Sequence, residues 1–179
     1  MSKEEFVILV DENDRQTGVC EKLEAHRKGL LHRAFSIFLF NSKGEVLLQQ
    51  RAVEKYHTGG LWTNACCSHP RPDEKQEDAL QRKLFQEMGV NCPLTKIFQF
   101  TYSAKLDNGL TENELDYVYV GEFDSDPNPN PAEVQAWKYI SLNQLKKEIE
   151  ENGDQYTPWF KMLMPKVEEH YASLKTSSE

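Results

Sequence analysis

The chain has 179 residues, of which 39% are hydrophobic and 28% charged, and carries a net charge of −8. That length suits one domain with a real core and is short for two, so 1–179 is read as a single domain. The acidic balance argues against a nucleic-acid binder, and no run approaches the ~20 apolar residues of a membrane span. The start, Met1 to Phe6, lacks the long apolar core of a secretory signal. Cys20, Cys66, Cys67 and Cys92 are too sparse for a disulfide framework. Reduced thiols and a cytoplasmic location are expected.

In chain order, Phe6 to Val10 reads as a strand, closed by a turn at Asp11 to Asp14. Arg33 to Phe40 and Val46 to Gln50 flank the turn Asn41-Ser42-Lys43-Gly44, a hairpin signal. Glu74 to Met88 is the strongest helix, with Leu80, Leu84 and Met88 on one face and Gly89 as its stop. Strands follow near Phe98–Ala104 and Asn113–Phe123. Asp124 to Pro131 is polar and Pro-rich; too little chain follows for a second core, so it reads as a surface loop and not a linker. Trp137 to Ile140 is a short strand, and Ser141 caps a helix to about Asn152. A last helical stretch, Thr157 to Leu174, is expected to break at Pro165, and the tail from Lys175 to Glu179 is expected to be disordered. The mixture of strands and helices is α+β, or mixed α/β.

The best helix carries a motif. Glu74, Arg82, Leu84, Glu87, Gly89 and Val90 hold the spacing G-x5-E-x7-R-E-U-x-E-E-x-G-U, with Ser68, Lys83 and Gln86 as departures. This resembles the Nudix signature, and the resemblance implies a mixed sheet flanked by helices, with extensions at both ends of the chain. The departures carry chemical weight. Clustered glutamates hold the Mg²⁺ ions that activate water for diphosphate hydrolysis. Lys83 puts a cation where a ligand belongs, and Gln86 is a weaker donor. The set is better suited to gripping a diphosphate than to cutting one. Alone, Lys83 and Glu87 are read most simply as an exposed helix ion pair.

Three further signals share the chain. Trp62-Thr63-Asn64-Ala65-Cys66-Cys67-Ser68-His69-Pro70 is followed by Thr111-Glu112-Asn113-Glu114-Leu115, and His26 and His32 precede both. On an extended segment Cys67 and His69 point to one side, as do Glu112 and Glu114. His26, His32, His69, Glu112 and Glu114 offer nitrogen and oxygen donors for Mn²⁺, Mg²⁺ or Zn²⁺, with imidazole favouring Mn²⁺ or Zn²⁺. A lone histidine is more often a hydrogen-bonded structural group, but four of the five lie between His26 and His69.

The motifs T-N-x-x-C-x-H-P and E-N-E, around the altered box, resemble type I isopentenyl-diphosphate isomerases from about Val10 to Trp159. The resemblance implies double-bond transposition in isopentenyl diphosphate through a tertiary carbocation. That reaction needs an acid and a base on opposite faces of a flat alkene, and a dry site. The resemblance assigns these roles to Cys67 and Glu114, either of which gives the first proton. Tyr102 assists the carboxylate and Trp159 faces the cation, an interaction worth ~2 kcal/mol when desolvated. Lys22, Arg51, Lys55 and Lys83 bind the diphosphate, Ser36 adds a hydroxyl, and Trp62 lines the pocket. A second ion, Mg²⁺, bridges Glu87 and the diphosphate. His57 matches no ligand position and reads as structural; Cys66 reads as a small buried hydrophobe. The expected state is a monomer or weak homodimer with a small-molecule substrate. The rivals are a Nudix hydrolase, a non-catalytic binding module and a cysteine hydrolase using Cys67 and His69.

Overall fold

A computed structural model describes residues 5–177. Its elements run β1 (Phe6–Val10), β2 (Gln16–Glu21), α1 (Lys22–Lys28), β3 (His32–Phe40), β4 (Val46–Arg51), β5 (Trp62–Thr63), β6 (Cys66–Ser68), α2 (Gln76–Met88), β7 (Thr95–Lys105), β8 (Thr111–Glu122), β9 (Val134–Ile140), α3 (Leu142–Asn152) and α4 (Pro158–Ser177).

Strand β3 organises the sheet. Along one edge it pairs in parallel with β8, from His32↔Glu114 to Phe40↔Glu122. Along the other it meets β1 at His32, β6 at Phe35 to Ile37, and β4 at Phe40. It is buried on both faces, which explains its nearly continuous apolar run. Phe38 and Phe40 pack toward Trp159, Phe160 and Leu163 of α4. Phe35, Ile37 and Leu39 pack toward Leu80, Leu84 and Met88 of α2. Two layers of core thus lie on opposite sides of one mixed sheet, an α+β arrangement.

Helix α2 begins at Gln76, two residues later than the sequence predicts. The Glu74 carboxylate turns back to accept from the Arg71 backbone N–H at 2.9 Å and from Arg82 at 2.8 Å twice. Gly89 ends the helix at φ +65, and a Cβ there would meet the Asn128 carbonyl at 2.5 Å. The polar loop explains that crowding. Asn128 and Asn130 donate their backbone N–H groups to the carbonyls of Met88 and Glu87 at 2.8 and 2.9 Å. The loop satisfies the end of α2, so it is part of this fold.

Three expectations need correction. The sequence reading has no α1, because a seven-residue helix capped by Glu21 lacks the usual Ser, Thr, Asp or Asn signal. Helix α4 runs through Pro165 without a break. Pro165 is on the exposed face, where water can take the carbonyl that its missing N–H leaves. Lys175, Thr176 and Ser177 continue α4; the remainder of the expected disordered tail lies outside the described residues. Among the described residues no helix is long and apolar enough to cross a membrane.

A candidate metal centre and active-site cavity

Helix α1, β3, β6 and β8 converge at one end of β3. They bring together His26, His32, His69, Glu112 and Glu114, whose ligand atoms all lie within 4.8 Å of one another. His26 gives Nδ1 to the Lys22 carbonyl at 2.7 Å, and His32 gives Nδ1 to the Leu30 carbonyl at 2.8 Å. A carbonyl only accepts, so Nδ1 carries the proton in each ring and Nε2 presents a lone pair. Both Nε2 atoms are buried without a hydrogen-bond partner, as is Glu112 Oε2. Buried polar atoms rarely lack partners unless a ligand supplies one. The donor set therefore fits a divalent cation, as expected from imidazole and carboxylate chemistry.

The electrostatics suit the same role. Burial lowers His32 to about 4 and takes His69 well below the usual histidine range. Neutral imidazole is the form that binds metal. At His26 burial is opposed and outweighed by Glu112. Burial pushes up Glu112 as well, but Glu114, His26 and His57 hold it low by hydrogen bonding. Glu114 is driven well above the carboxylate range by burial and then by Glu112. Two adjacent buried carboxylates cannot both ionise cheaply without a cation between them.

A cavity of about 290 Å³ empty volume opens beside the cluster, lined by Ser36, Arg51, Tyr56, His57, Cys67, Ser68, His69, Tyr102, Glu112, Glu114 and Trp159. Cys67 and Glu114 both reach it. They do not stand on facing walls, because Cys67 pairs across from Ser36 and Glu114 from His32 on opposite edges of β3. They rise from one sheet floor, separated by a strand and by a four-residue offset along it. The aromatic residues Trp159 and Tyr56 line the cavity with them.

The Cys67 sulfur is closely held. It donates to Asn64 Oδ1 at 3.1 Å, accepts from Trp159 Nε1 at 3.0 Å, and lies 3.7 Å from Ser36 Oγ. Burial, followed by the charge of Asp116, pushes its thiol up to about 12. The thiol form is therefore favoured. Ser36 donates to Asp116 Oδ2 at 2.8 Å. Its single proton is thus committed, as the thiol proton is to Asn64, so Ser36 and Cys67 are in contact without a shared proton. The hydroxyl expected to contact diphosphate faces Asp116 and the thiol here. Arg51 sits over the Trp159 ring, its guanidinium carbon 5.5 Å from the centroid.

A smaller recess adjoins the cavity through Ser68 and His69. Lys22, Arg71, Arg82 and Lys83 line it, with Glu5 as their counter-charge. Lys22 and Lys83 thus share one recess, and Arg51 lines the adjoining cavity. Lys55 is not there; it is paired with Glu133. Trp62 is also outside the cavity wall, covered by Lys138 at 4.5 Å. Glu87 is buried under α2, accepting from Cys66 Sγ at 3.3 Å and from Gln49 Nε2 at 3.5 Å, with Lys83 at 3.7 Å. It is not brought to the five-ligand cluster. Sequence reasoning missed Asn64, Tyr56, Arg71 and Asp116. Asn64 lies inside the quoted motif, and Asp116 follows Glu112 and Glu114 in the same alternation, so both had a signal available.

The NUDIX domain family matches residues 30–160, which places the chain in that class. Solved structures agree at the level of fold. A MutT protein from Methanosarcina mazei Go1 superposes with a TM-score of 0.64 at 17% identity, covering 79% of this chain and 95% of that one. The Deinococcus radiodurans protein DR0079 gives 0.67 at 18% identity, covering 83% and 90%. Curated relatives are much nearer. The Isopentenyl-diphosphate Delta-isomerase of Pectobacterium atrosepticum is 48% identical over 170 residues, 95% of each chain. The Isopentenyl-diphosphate Delta-isomerase 1 of Aromatoleum aromaticum is 49% identical over 164 residues, 92% of this chain and 93% of its own. The chain belongs to the isopentenyl-diphosphate Delta-isomerase family within the NUDIX-domain proteins.

Proposed function

We propose that this protein interconverts isopentenyl diphosphate and dimethylallyl diphosphate, as the names of its relatives indicate for them. The observation that carries this reading is the meeting of Cys67, Glu114 and Trp159 on one cavity beside a five-ligand cation site. A thiol and a carboxylate at opposite ends of one floor reach the two faces of an alkene whose plane stands upright between them. One protonates the terminal carbon, which leaves a tertiary cation on the substituted carbon, and the other removes a proton from the chain methylene next to that cation. The Trp159 ring supplies a face for the cation without a nucleophilic lone pair. Tyr102 lines the same cavity beside the carboxylates. Its buried position keeps out water that would trap the cation.

His26, His32, His69, Glu112 and Glu114 would hold one borderline divalent ion, Mn²⁺ or Zn²⁺. Bound there, the ion would lower the proton affinity of Glu114. Lys22, Lys83 and Arg51 would meet the diphosphate, Arg51 by a two-pronged contact and the lysines as point charges. A second ion, Mg²⁺ on the diphosphate, would require Glu87 to leave Gln49 and Cys66. The four free cysteines support a reducing, cytoplasmic setting for a single-domain protein acting as a monomer or weak dimer.

The test incubates the protein with isopentenyl diphosphate and a divalent salt, and follows dimethylallyl diphosphate by chromatography. Its appearance, with no phosphate or pyrophosphate released, is the expected result. Release of either in place of the isomer would replace this reading with diphosphate hydrolysis.

A further inference from the structure

His57 was given no role by motif spacing, yet it is 2% exposed and lies against the cation site. Both ring nitrogens face polar atoms. Nδ1 is 2.7 Å from Thr58 Oγ1, and Nε2 is 2.9 Å from Glu112 Oε1, within ion-pair reach but without the alignment of a hydrogen bond. The other Glu112 oxygen, Oε2, faces His26 Nε2 at 3.4 Å inside the ligand cluster. The two carboxylate oxygens are therefore divided between His57 and the cation site. A histidine between a hydroxyl and an ionised carboxylate has one consistent arrangement. Thr58 donates to Nδ1, and Nε2 carries the proton on the side of Glu112.

The loop is built to hold the ring there. Thr58 adopts φ +50, a backbone region that β-branched residues rarely enter. Its N–H is fixed by Asp107 Oδ1 at 3.0 Å, from the 3-10 turn between β7 and β8. A Cβ at Gly59 would lie 2.4 Å from the Val53 carbonyl, so the loop closes tightly on itself. Arg51 donates to the His57 carbonyl at 3.2 Å. Tyr56 and Trp159 meet the imidazole edge-on, with centroids 4.2 and 5.7 Å away. A ring needed only for packing would not require this strain or two polar partners.

We propose that His57 is a positioning residue for the metal centre: when the cation is bound, it donates Nε2–H to Glu112 Oε1, with Thr58 fixing the tautomer, so that Oε2 is presented to the cation. This inference rests on the five-ligand reading above. It concerns affinity for the ion before substrate arrives. Partners that orient a ligand in this way typically account for about 10- to 100-fold in metal affinity.

The experiment titrates substrate-free, metal-stripped protein with Mn²⁺, read by calorimetry and by the Mn²⁺ electron paramagnetic resonance spectrum. His57→Phe is expected to weaken Mn²⁺ binding about tenfold to a hundredfold and to change the spectrum. His57→Gln, which keeps an N–H donor, is expected to recover most of the affinity. Thr58→Val keeps the side-chain shape and β-branching, and is expected to weaken binding several-fold. A folded His57→Phe protein with parental affinity and spectrum overturns the proposal. Should that variant fail to fold, parental affinity in Thr58→Val overturns it instead. If the parent protein itself takes up no Mn²⁺, the five-ligand reading falls first, which separates the two failures.

Discussion

Cys66 and Cys67 are neighbours in the chain, but they face opposite sides of the sheet. On the α2 side, Cys66 donates to Glu87, Gln49 donates to the same carboxylate, and Lys83 stands by. The polar groups around Glu87 all have protein partners. On the α4 side, His26 Nε2, His32 Nε2, His57 Nε2, Arg51 Nε and Glu112 Oε2 are buried without a hydrogen-bond partner, and Asp116 Oδ1 is likewise unpaired. Satisfied buried groups are part of the packing, whereas unsatisfied ones mark where a ligand belongs. On the proposed reading, the helix that carries the family signature is largely structural apart from Lys83, and the acid–base residues lie on the other face.

The largest expected effect tests that contrast directly. Cys67→Ala and Glu114→Gln should each lower isomer formation by about 10²- to 10⁴-fold, the range of a lost acid or base, with the circular dichroism unchanged. Cys66→Ala should keep turnover within about threefold and lose about 1 kcal/mol of stability instead. Near-parental turnover in Cys67→Ala would break the comparison at its centre.

Metal removal comes next. Dialysis against a chelator should abolish turnover and lower the melting temperature. At a free-ion concentration near 100 times Kd, the lost stabilisation is about 2.7 kcal/mol. Equal melting temperatures with and without Mn²⁺ would leave the unpaired donors unexplained.

Lys83 lies where the two regions touch, near both Glu87 and the basic recess. Lys83→Gln should raise the apparent KM for isopentenyl diphosphate about tenfold, or about 1.4 kcal/mol, while kcat changes less. An unchanged KM would confine Lys83 to the structural side.

The smallest effect sharpens the structural side alone. Arg82 holds the Glu74 carboxyl below the usual glutamate range, against the opposing effect of burial. A lowered folded-state pKa stabilises above the unfolded value, and that stability is lost as pH falls through the folded value. Glu74→Gln should therefore cost about 1 kcal/mol at neutral pH and progressively less in acid, as read from urea unfolding with metal-free protein. A cost independent of pH would remove the ion pair from the account.

Much of this was legible in the chain, for reasons that differ by element. A nearly continuous apolar run exposed β3, and helical periodicity exposed α2. Glu112 and Glu114 were legible as a pair because a two-residue spacing on a strand fixes which side chains share a face, whereas the three histidines were picked out by the family resemblance. What was hidden depends on tertiary contact. Helix α1 has too few turns to show a period, and its His26 is placed by a carbonyl of the same helix. Lys55 and Trp62 carried suitable chemistry, but Glu133 and Lys138 claim them. His57 carried no spacing signal at all, because its partner Glu112 lies on the far side of the intervening α2 in sequence. Only folded proximity reveals such pairs.

The parallel pairing of β3 with β8 has a consequence for how this centre comes into being. Its donors are spread from His26 to Glu114, and both carboxylates arrive on the later strand. A nascent chain that has emerged only to Leu110 holds all three imidazoles and neither acid. Contacts of such long sequence separation form slowly, since loop closure must precede them. An ion at this site would therefore gain its full set of donors only once β8 has paired with β3.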